Sequence, residues 1–444
     1  MNASPVMLNE QSTAQYDLVP PVPDTLADTG LSADVVRDLI LKVFYVQGAR
    51  TGHYLSEFLR LPFGLVDEEL LTLQQRRFVE VRGTTGPNRT SYMFDLGGAG
   101  RDRAKEALEA SQYVGPAPVP LPQYTKWIEA QSIRNVHVTQ EVLRAGFSHL
   151  VLNDTLLDSL GPAVNSSKSI FLYGHPGNGK TAIAEAISQM LGGILYLPYA
   201  VDIDGQIMLV YDPVHHQEIA SGDEAVGIES IWRSGPSYDR RYARVKRPVV
   251  LTGGELTLDQ LDLRYDHFTK LYQAPFQVKA NGGVLIVDDF GRQRVPPRDL
   301  LNRWIVPLEK KIDYLTLHTG GKFPVPFDCL LIFATNLDPA ELVEEAFLRR
   351  IHYKIPVVDP SREQYEEIFR RCCRGIGVDY AAQAVTYVFD EFYDKRGIRP
   401  RGCHPRDLLA HVTDIAKYRQ LTPELTVDLV NRACQSYFLQ EGAA

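Results

Sequence analysis

The chain has 444 residues, more than one ordinary domain holds, and the length points to roughly two to four. Apolar residues at 44% and charged residues at 23% are a globular balance, and the net charge of −8 argues against a surface that coats nucleic acid. No apolar run approaches the roughly 20 residues of a membrane helix, and the N-terminus lacks the basic and apolar segments of a secretory signal.

In chain order, residues 1–30 read as a disordered lead. Residues 31–110 follow as a compact unit of three helices and two strands. "SADVVRDLILKVFYVQG" carries apolar residues at helical spacing behind Ser32, a candidate N-cap. "GHYLSEFLRLP" and "GLVDEELLTLQQRR" predict two shorter helices, and "FVEVRG" and "TSYMFDLG" predict strands about the turn-rich "TTGPNR". This order of elements resembles a winged helix-turn-helix domain. Its charge does not favour DNA: basic and acidic residues balance at eleven each, and the third helix opens with Asp67, Glu68 and Glu69. Arg76, Arg77, Arg82 and Arg89 leave one cationic edge. Protein recognition is the favoured reading, with DNA recognition as the alternative.

Residues 111–124, "SQYVGPAPVPLPQY", form a proline-rich linker, expected to be a stiff extended spacer. From 125 to 358 apolar runs alternate with helical patterns: "SIFLYG", "ILYLPYA", "PVVLTG", "GVLIVDD" and "LLIFATN". Continuous apolar strands between helices predict a parallel sheet covered on both faces. Residues 359–444 read as helical throughout. The five cysteines make no C-x-x-C pair, which suits a reduced, cytoplasmic chain, and His215 and His216 are read as structural or solvent-facing.

The chemistry concentrates in "GHPGNGKT". Gly174, Pro176, Gly177, Asn178, Gly179, Lys180 and Thr181 keep the G-x4-G-K-T spacing between a predicted strand and a predicted helix. Glycines there let backbone N–H groups face phosphate oxygens, Lys180 reaches the β- and γ-phosphates, and Thr181 binds Mg²⁺. In "GGVLIVDDF", Asp288 at the strand end completes the Mg²⁺ shell, and Asp289 is placed to polarise an attacking water. Asn336, ending "LLIFATN", can hold that water in line. Arg349, Arg350, Arg401 and Arg406 follow.

Taken in that order, these features resemble the AAA+ ATPases over residues 125 to 444. The resemblance implies an α/β P-loop core with a C-terminal helical lid, ATP and Mg²⁺ as ligands, and Asn336 as sensor 1. It further implies Arg349 or Arg350 as an arginine finger acting in trans, Arg406 as sensor 2, and a ring, expected to be a hexamer. "LLNRWIVPLEKKIDYLTLHTGGKFPVPFDCLLIFATN", a helix and hairpin before sensor 1, is similar to MoxR-like members. Two features depart from the pattern. Asp289 stands where many relatives have Glu, and about a hundred residues separate Lys180 from Asp288. The excess, near 200–247, reads as a hairpin and an irregular segment. The expected function is an ATP-hydrolysing remodelling motor acting on a protein recruited by the N-terminal unit. The alternatives are an ATP-switched DNA-binding regulator and a nucleotide switch that barely turns over.

Overall fold

The computed structural model describes residues 18–219, 238–338 and 349–438. Its first helix, α1 (Leu26–Thr29), is closed by a capping box in which Thr25 and Asp28 satisfy each other's backbone. The disordered lead expected over 1–30 is therefore corrected for 18–30, while 1–17 lie outside the described residues. The cause is a long-range clamp. Arg241 pairs with Asp239 in a fully buried position and donates to Thr29 O at 2.9 Å, and Asp239 N donates to Pro20 O at 2.8 Å. A buried guanidinium needs such acceptors, so ordering this stretch satisfies it.

The N-terminal unit continues with α2 (Ala33–Gln47), capped by Ser32, then β1 (Arg50–Thr51), α3 (Gly52–Leu59) and α4 (Phe63–Gln75). The hairpin β2 (Val79–Thr84) and β3 (Tyr92–Leu96) and a helix α5 (Gly98–Ala110) complete it. The sheet order is β1-β3-β2. Because α4 starts at Phe63, Asp67–Glu69 lie in its second turn and do not open it. Glu69 is buried against Arg37, and Arg89 pairs with Asp67. Helix α5 escaped the sequence reading because its packed face is small: Gly100, Ala104 and Ala107. A side chain at Gly100 would meet Phe78 O at 1.9 Å.

The proline-rich stretch is extended but not a free spacer. Tyr113 and Ala117 are buried, and Ala117 N donates to Leu59 O. Val119–Pro120 form β4, and the remaining residues open α6 (Leu121–Ala130), with Pro122 in the first turn where its missing N–H costs nothing. Beyond a single-turn 3-10 segment come α7 (Gln140–Gly146) and α8 (Asp154–Asn165).

Next come β5 (Ile170–Tyr173), α9 (Lys180–Met190), β6 (Ile194–Pro198), β7 (Ala200–Ile203) and β8 (Gln206–Leu209). They are followed by β9 (Tyr242–Lys246), β10 (Val249–Thr252), β11 (Arg264–Asp266), β12 (Leu271–Gln273) and α10 (Phe276–Lys279). The core ends with β13 (Val284–Val287), α11 (Pro297–Lys310), β14 (Ile312–Thr316), β15 (Lys322–Pro326), β16 (Leu330–Thr335) and β17 (Tyr353–Pro356).

The central sheet is parallel, in the order β10-β13-β16-β5-β17. Helices α7–α9 pack on one face and α11, through the buried Trp304, on the other. That double cover explains why β13 and β16 are buried at every position. "ILYLPYA", expected in this sheet, is corrected: as β6 it pairs antiparallel with β9 outside it. An apolar run demands cover on both faces, and this ribbon is buried among Tyr242, Val245, Leu315 and Val325.

The described part of the insertion contributes the expected hairpin, β7–β8, to a second sheet, β11-β12-β8-β7-β4. Ala200, Ile207 and Leu271 of this sheet share one hydrophobic cluster with Phe44, Leu59 and Tyr113. The C-terminal helices are α12 (Arg362–Ile376), α13 (Ala382–Val388), α14 (His404–Tyr418) and α15 (Val427–Tyr437). They form an aromatic-rich domain of their own around Tyr365, Phe369, Phe389 and Phe392.

Candidate active site

Three neighbouring parallel strands, β13, β16 and β5, end along one sheet edge, and each delivers a polar group there. The exit from β5 needs glycine for backbone reasons. Gly174 has φ +139, and a side chain on it would meet Val357 O at 2.3 Å. Gly179, with φ +82, is the N-cap of α9. Its left-handed turn aims the first N–H groups of the helix into the loop.

Lys180 closes the loop over itself. Its Nζ donates to Gly174 O and His175 O, both at 2.9 Å, and to Asn336 Oδ1 at 2.5 Å. Burial pulls the Lys180 ammonium below its ordinary range, the charges of Asp288 and Asp289 oppose that shift, and Arg401 adds to it. Asn336 turns its amide the other way, with Nδ2 donating to Asp289 Oδ1 at 3.1 Å. Thr181 Oγ1 donates to Asp288 Oδ2 at 2.7 Å. Lys180, Thr181, Asp288, Asp289 and Asn336, named from sequence alone, are thus brought into one hydrogen-bonded constellation.

Asp289 sits at φ +48 with its side chain exposed, in the left-handed region that Asp tolerates better than most residues. Gln293 Nε2 bridges the carbonyls of Asp288 and Asp289 and fixes that turn. The donor set suits a nucleotide with its magnesium ion. The loop carries a cradle that a Cβ would fill at Gly174, a buried ammonium, and a hydroxyl beside a carboxylate. Mg²⁺ characteristically takes one or two protein oxygens and leaves the rest of its shell to water and phosphate. Among the described residues no cluster of three or more His, Cys, Asp or Glu competes for a metal.

The arginines divide. Arg350 Nε pairs with Glu309 of α11 at 2.6 Å, and Arg349 is exposed. Arg406, expected as sensor 2, has a largely exposed side chain that donates to the neighbouring Asp407 at 3.1 Å. The arginines beside the loop come from the segment before α14. Arg399 Nη1 lies 3.3 Å from His175 Nε2, and Arg401 Cβ lies 3.8 Å from where a Gly177 side chain would begin.

The sequence reading also missed Asp359, which accepts from Asn178 Nδ2 at 2.7 Å and contacts His175 Nδ1 at 3.1 Å. Its signal was weak: β17 carries Lys354 and is buried only at Ile355, and the acid follows three residues beyond the strand end. Beside it a cleft is lined by Val151, Leu152, Leu156, Val357, Pro360 and Ile368. No local motif announces such a cleft, because its walls come from four separate segments: residues 151–156, 178, 356–368 and 402.

Phosphate loop and strand order define an α/β P-loop core, which is followed by a helical C-terminal domain. A family model described as a domain of unknown function, DUF8689, matches residues 361–436. No curated protein matches the chain in sequence. Among solved structures, the chain is similar to the RuvB Holliday junction branch migration motor of Thermotoga maritima at 15% identity. That match spans 68% of this chain and 72% of the other, with a TM-score of 0.35. NtrX from Brucella abortus matches at 14% identity over 77% of this chain and 64% of its own, with a TM-score of 0.39. The fold assignment rests on strand order and loop geometry. Among the described residues no helix is long and apolar enough to cross a membrane.

Proposed function

We propose that the chain is an ATP-hydrolysing, ring-forming AAA+ motor, MoxR-like in flavour, that remodels a protein partner recruited by its N-terminal domain. The observation that carries this reading is the linked set Lys180–Asn336–Asp289 with Thr181–Asp288. In this reading Lys180 would be the phosphate ligand, Asn336 the water-holding amide, Asp289 the base, and Thr181 with Asp288 the metal-binding pair. Lys180 would meet the β- and γ-phosphates of ATP, and the apolar cleft of Val151, Leu152 and Ile368 would take the base. Mg²⁺, held by Thr181 and Asp288, would supply charge neutralisation of the phosphates. Asp289 would accept a proton from the attacking water, with Asn336 orienting it; positioned proton transfer of this kind contributes about 10²–10⁴ in rate.

Arg349 is the better candidate for the trans arginine, because Arg350 is committed to Glu309. Such an arginine supplies about 10³–10⁵ in rate and would make a ring, expected to be a hexamer, the active form. The β14–β15 hairpin ahead of β16 supports the MoxR-like reading. Three helices and the β1-β3-β2 sheet support a winged-helix-like N-terminal domain. A protein partner in the cytoplasm is favoured over DNA because Arg89 and Arg82 are already paired with Asp67 and Asp95.

The deciding experiment follows ATPase activity per subunit against protein concentration, with Lys180→Ala as the blank. Specific activity that climbs as subunits associate is the expected result. Activity at the blank level throughout, with ATP still bound, would leave a nucleotide switch in place of a motor.

A further inference from the structure

The phosphate loop is tied to the C-terminal helical domain from two sides, through residues that the G-x4-G-K-T pattern leaves free to vary. Asn178 uses both ends of its amide. Nδ2 donates to Asp359 Oδ1 at 2.7 Å, where the chain enters the domain, and Oδ1 accepts from Gly402 N at 3.1 Å, just before α14. His175 makes a parallel bridge, with Nδ1 3.1 Å from Asp359 Oδ1 and Nε2 3.3 Å from Arg399 Nη1. Both contacts are met at once by the neutral ring protonated on Nδ1, which donates to the carboxylate and accepts from the guanidinium.

The backbones also touch. A side chain at Gly402 would meet Gly177 O at 3.2 Å, and one at Gly177 would meet Cys403 Sγ at 2.5 Å. Glycine on each side lets loop and domain approach this closely. A single carboxylate, Asp359, therefore holds two loop side chains, and the same two side chains also reach Arg399 and Gly402 in the segment just before α14.

We propose that Asp359, acting through Asn178 and His175, is a positioning residue that makes loop conformation and helical-domain position one equilibrium. A nucleotide at the loop would be read directly by the domain. This inference rests on the nucleotide reading of the loop. Linkage is reciprocal: if the domain's docked position favours the loop shape that binds nucleotide, binding must favour docking by the same factor.

The test uses the full chain, ADP as the probe, and hydrogen exchange read separately over the loop and over residues 362–376. In the wild type, ADP is expected to raise protection in both regions. In Asp359→Ala, ADP is expected to bind at least about fivefold more weakly, still protecting the loop but no longer changing exchange at 362–376. Asp359→Asn keeps the acceptor oxygen and loses its charge, so affinity and domain response should fall between the two. If Asp359→Ala does not fold, Asp359→Asn decides alone: wild-type affinity with a wild-type domain response overturns the coupling. A full-sized domain response in Asp359→Ala overturns it equally, as does a wild type that binds ADP with no change at 362–376. A wild type that binds no ADP overturns the nucleotide reading and the coupling together.

Discussion

Thr181, in the first turn of α9, and Asp288, just past β13, meet across 2.7 Å although β13 and β5, the strand that leads into α9, are separated by β16. The contact ties the first turn of α9 to the far strand, so the two oxygens act as one unit. Thr181→Ala and Asp288→Asn should each abolish the magnesium dependence of nucleotide binding. The double variant should be little worse than either single one, because groups in direct contact are not additive. Titrations of a fluorescent ADP analogue with and without Mg²⁺ check this, and additive losses would mean that the two act separately.

Asp289 sits in the left-handed backbone region, which explains an Asp at this position. Asp289→Asn preserves the turn and should leave ADP affinity within about twofold while lowering turnover about 10²-fold. Asp289→Glu should cost about 1 kcal/mol of stability and give no gain in turnover. A Glu variant that hydrolyses ATP much faster would instead favour a wild-type chain built to hold nucleotide.

Arg349 and Arg350 should separate cleanly. Arg350→Ala removes an exposed ion pair to Glu309 and should cost under about 1 kcal/mol. Arg349→Ala should fold as the wild type and lose about 10³ in the activity of the assembled protein. Mixing Arg349→Ala with Lys180→Ala should restore part of that activity, since each supplies what the other lacks. No recovery on mixing would remove Arg349 from a role in trans.

Two glycines of the loop predict different penalties. Gly179→Ala suffers only its positive φ, for nothing lies within 4 Å of the new carbon, and should cost about 1–2 kcal/mol. Gly174→Ala adds a 2.3 Å collision with Val357 O, a backbone atom of the extended stretch after β17, and should be clearly worse. Thermal melts of the two variants would rank them, and equal midpoints would contradict the collision.

Stability should fall in acid through two buried histidines. His216 accepts from Asp212 N and contacts Lys279 O, and burial lowers it to about 4. His404 accepts from Tyr393 and from Arg401 N, and burial, helped by the Arg401 charge, lowers it to about 4. Both folded values lie below the unfolded one, so the unfolded chain takes up the proton first as pH falls. Stability is complete above about pH 6.5 and declines by about 1.4 kcal/mol per unit per histidine toward pH 4. Denaturant midpoints at pH 7 and pH 5 should show the drop, and His404→Gln should flatten it. An unchanged slope would put the titrating groups elsewhere.

What the sequence revealed follows what local pattern can encode. Lys180, Thr181, Asp288 and Asn336 were legible because a loop, two strand ends and a helix start each have their own signature. Asp359 lies three residues beyond β17, a strand broken by Lys354, and no familiar motif contains it. Arg406 was named from its place at a helix start, and its guanidinium pairs with the neighbouring Asp407. Helix α5 hid behind a face of glycine and alanine, and β6 was recognised as a strand but given the wrong partners. Pairing is a long-range property, and an apolar run says only that both faces are covered.

The shared core of the N-terminal unit and the second sheet changes what the proline-rich stretch can be. Tyr113 and Ala117 are buried in that core, and the Arg241–Asp239 clamp fastens residues 20 and 29 to the same place. A domain on a free tether searches a volume set by linker length and meets its partner at a corresponding local concentration. Here there is no such volume. The N-terminal domain is a lever arm bolted to the sheet, so any rotation of the core swings it through the same angle, with a displacement that grows with distance from the axis.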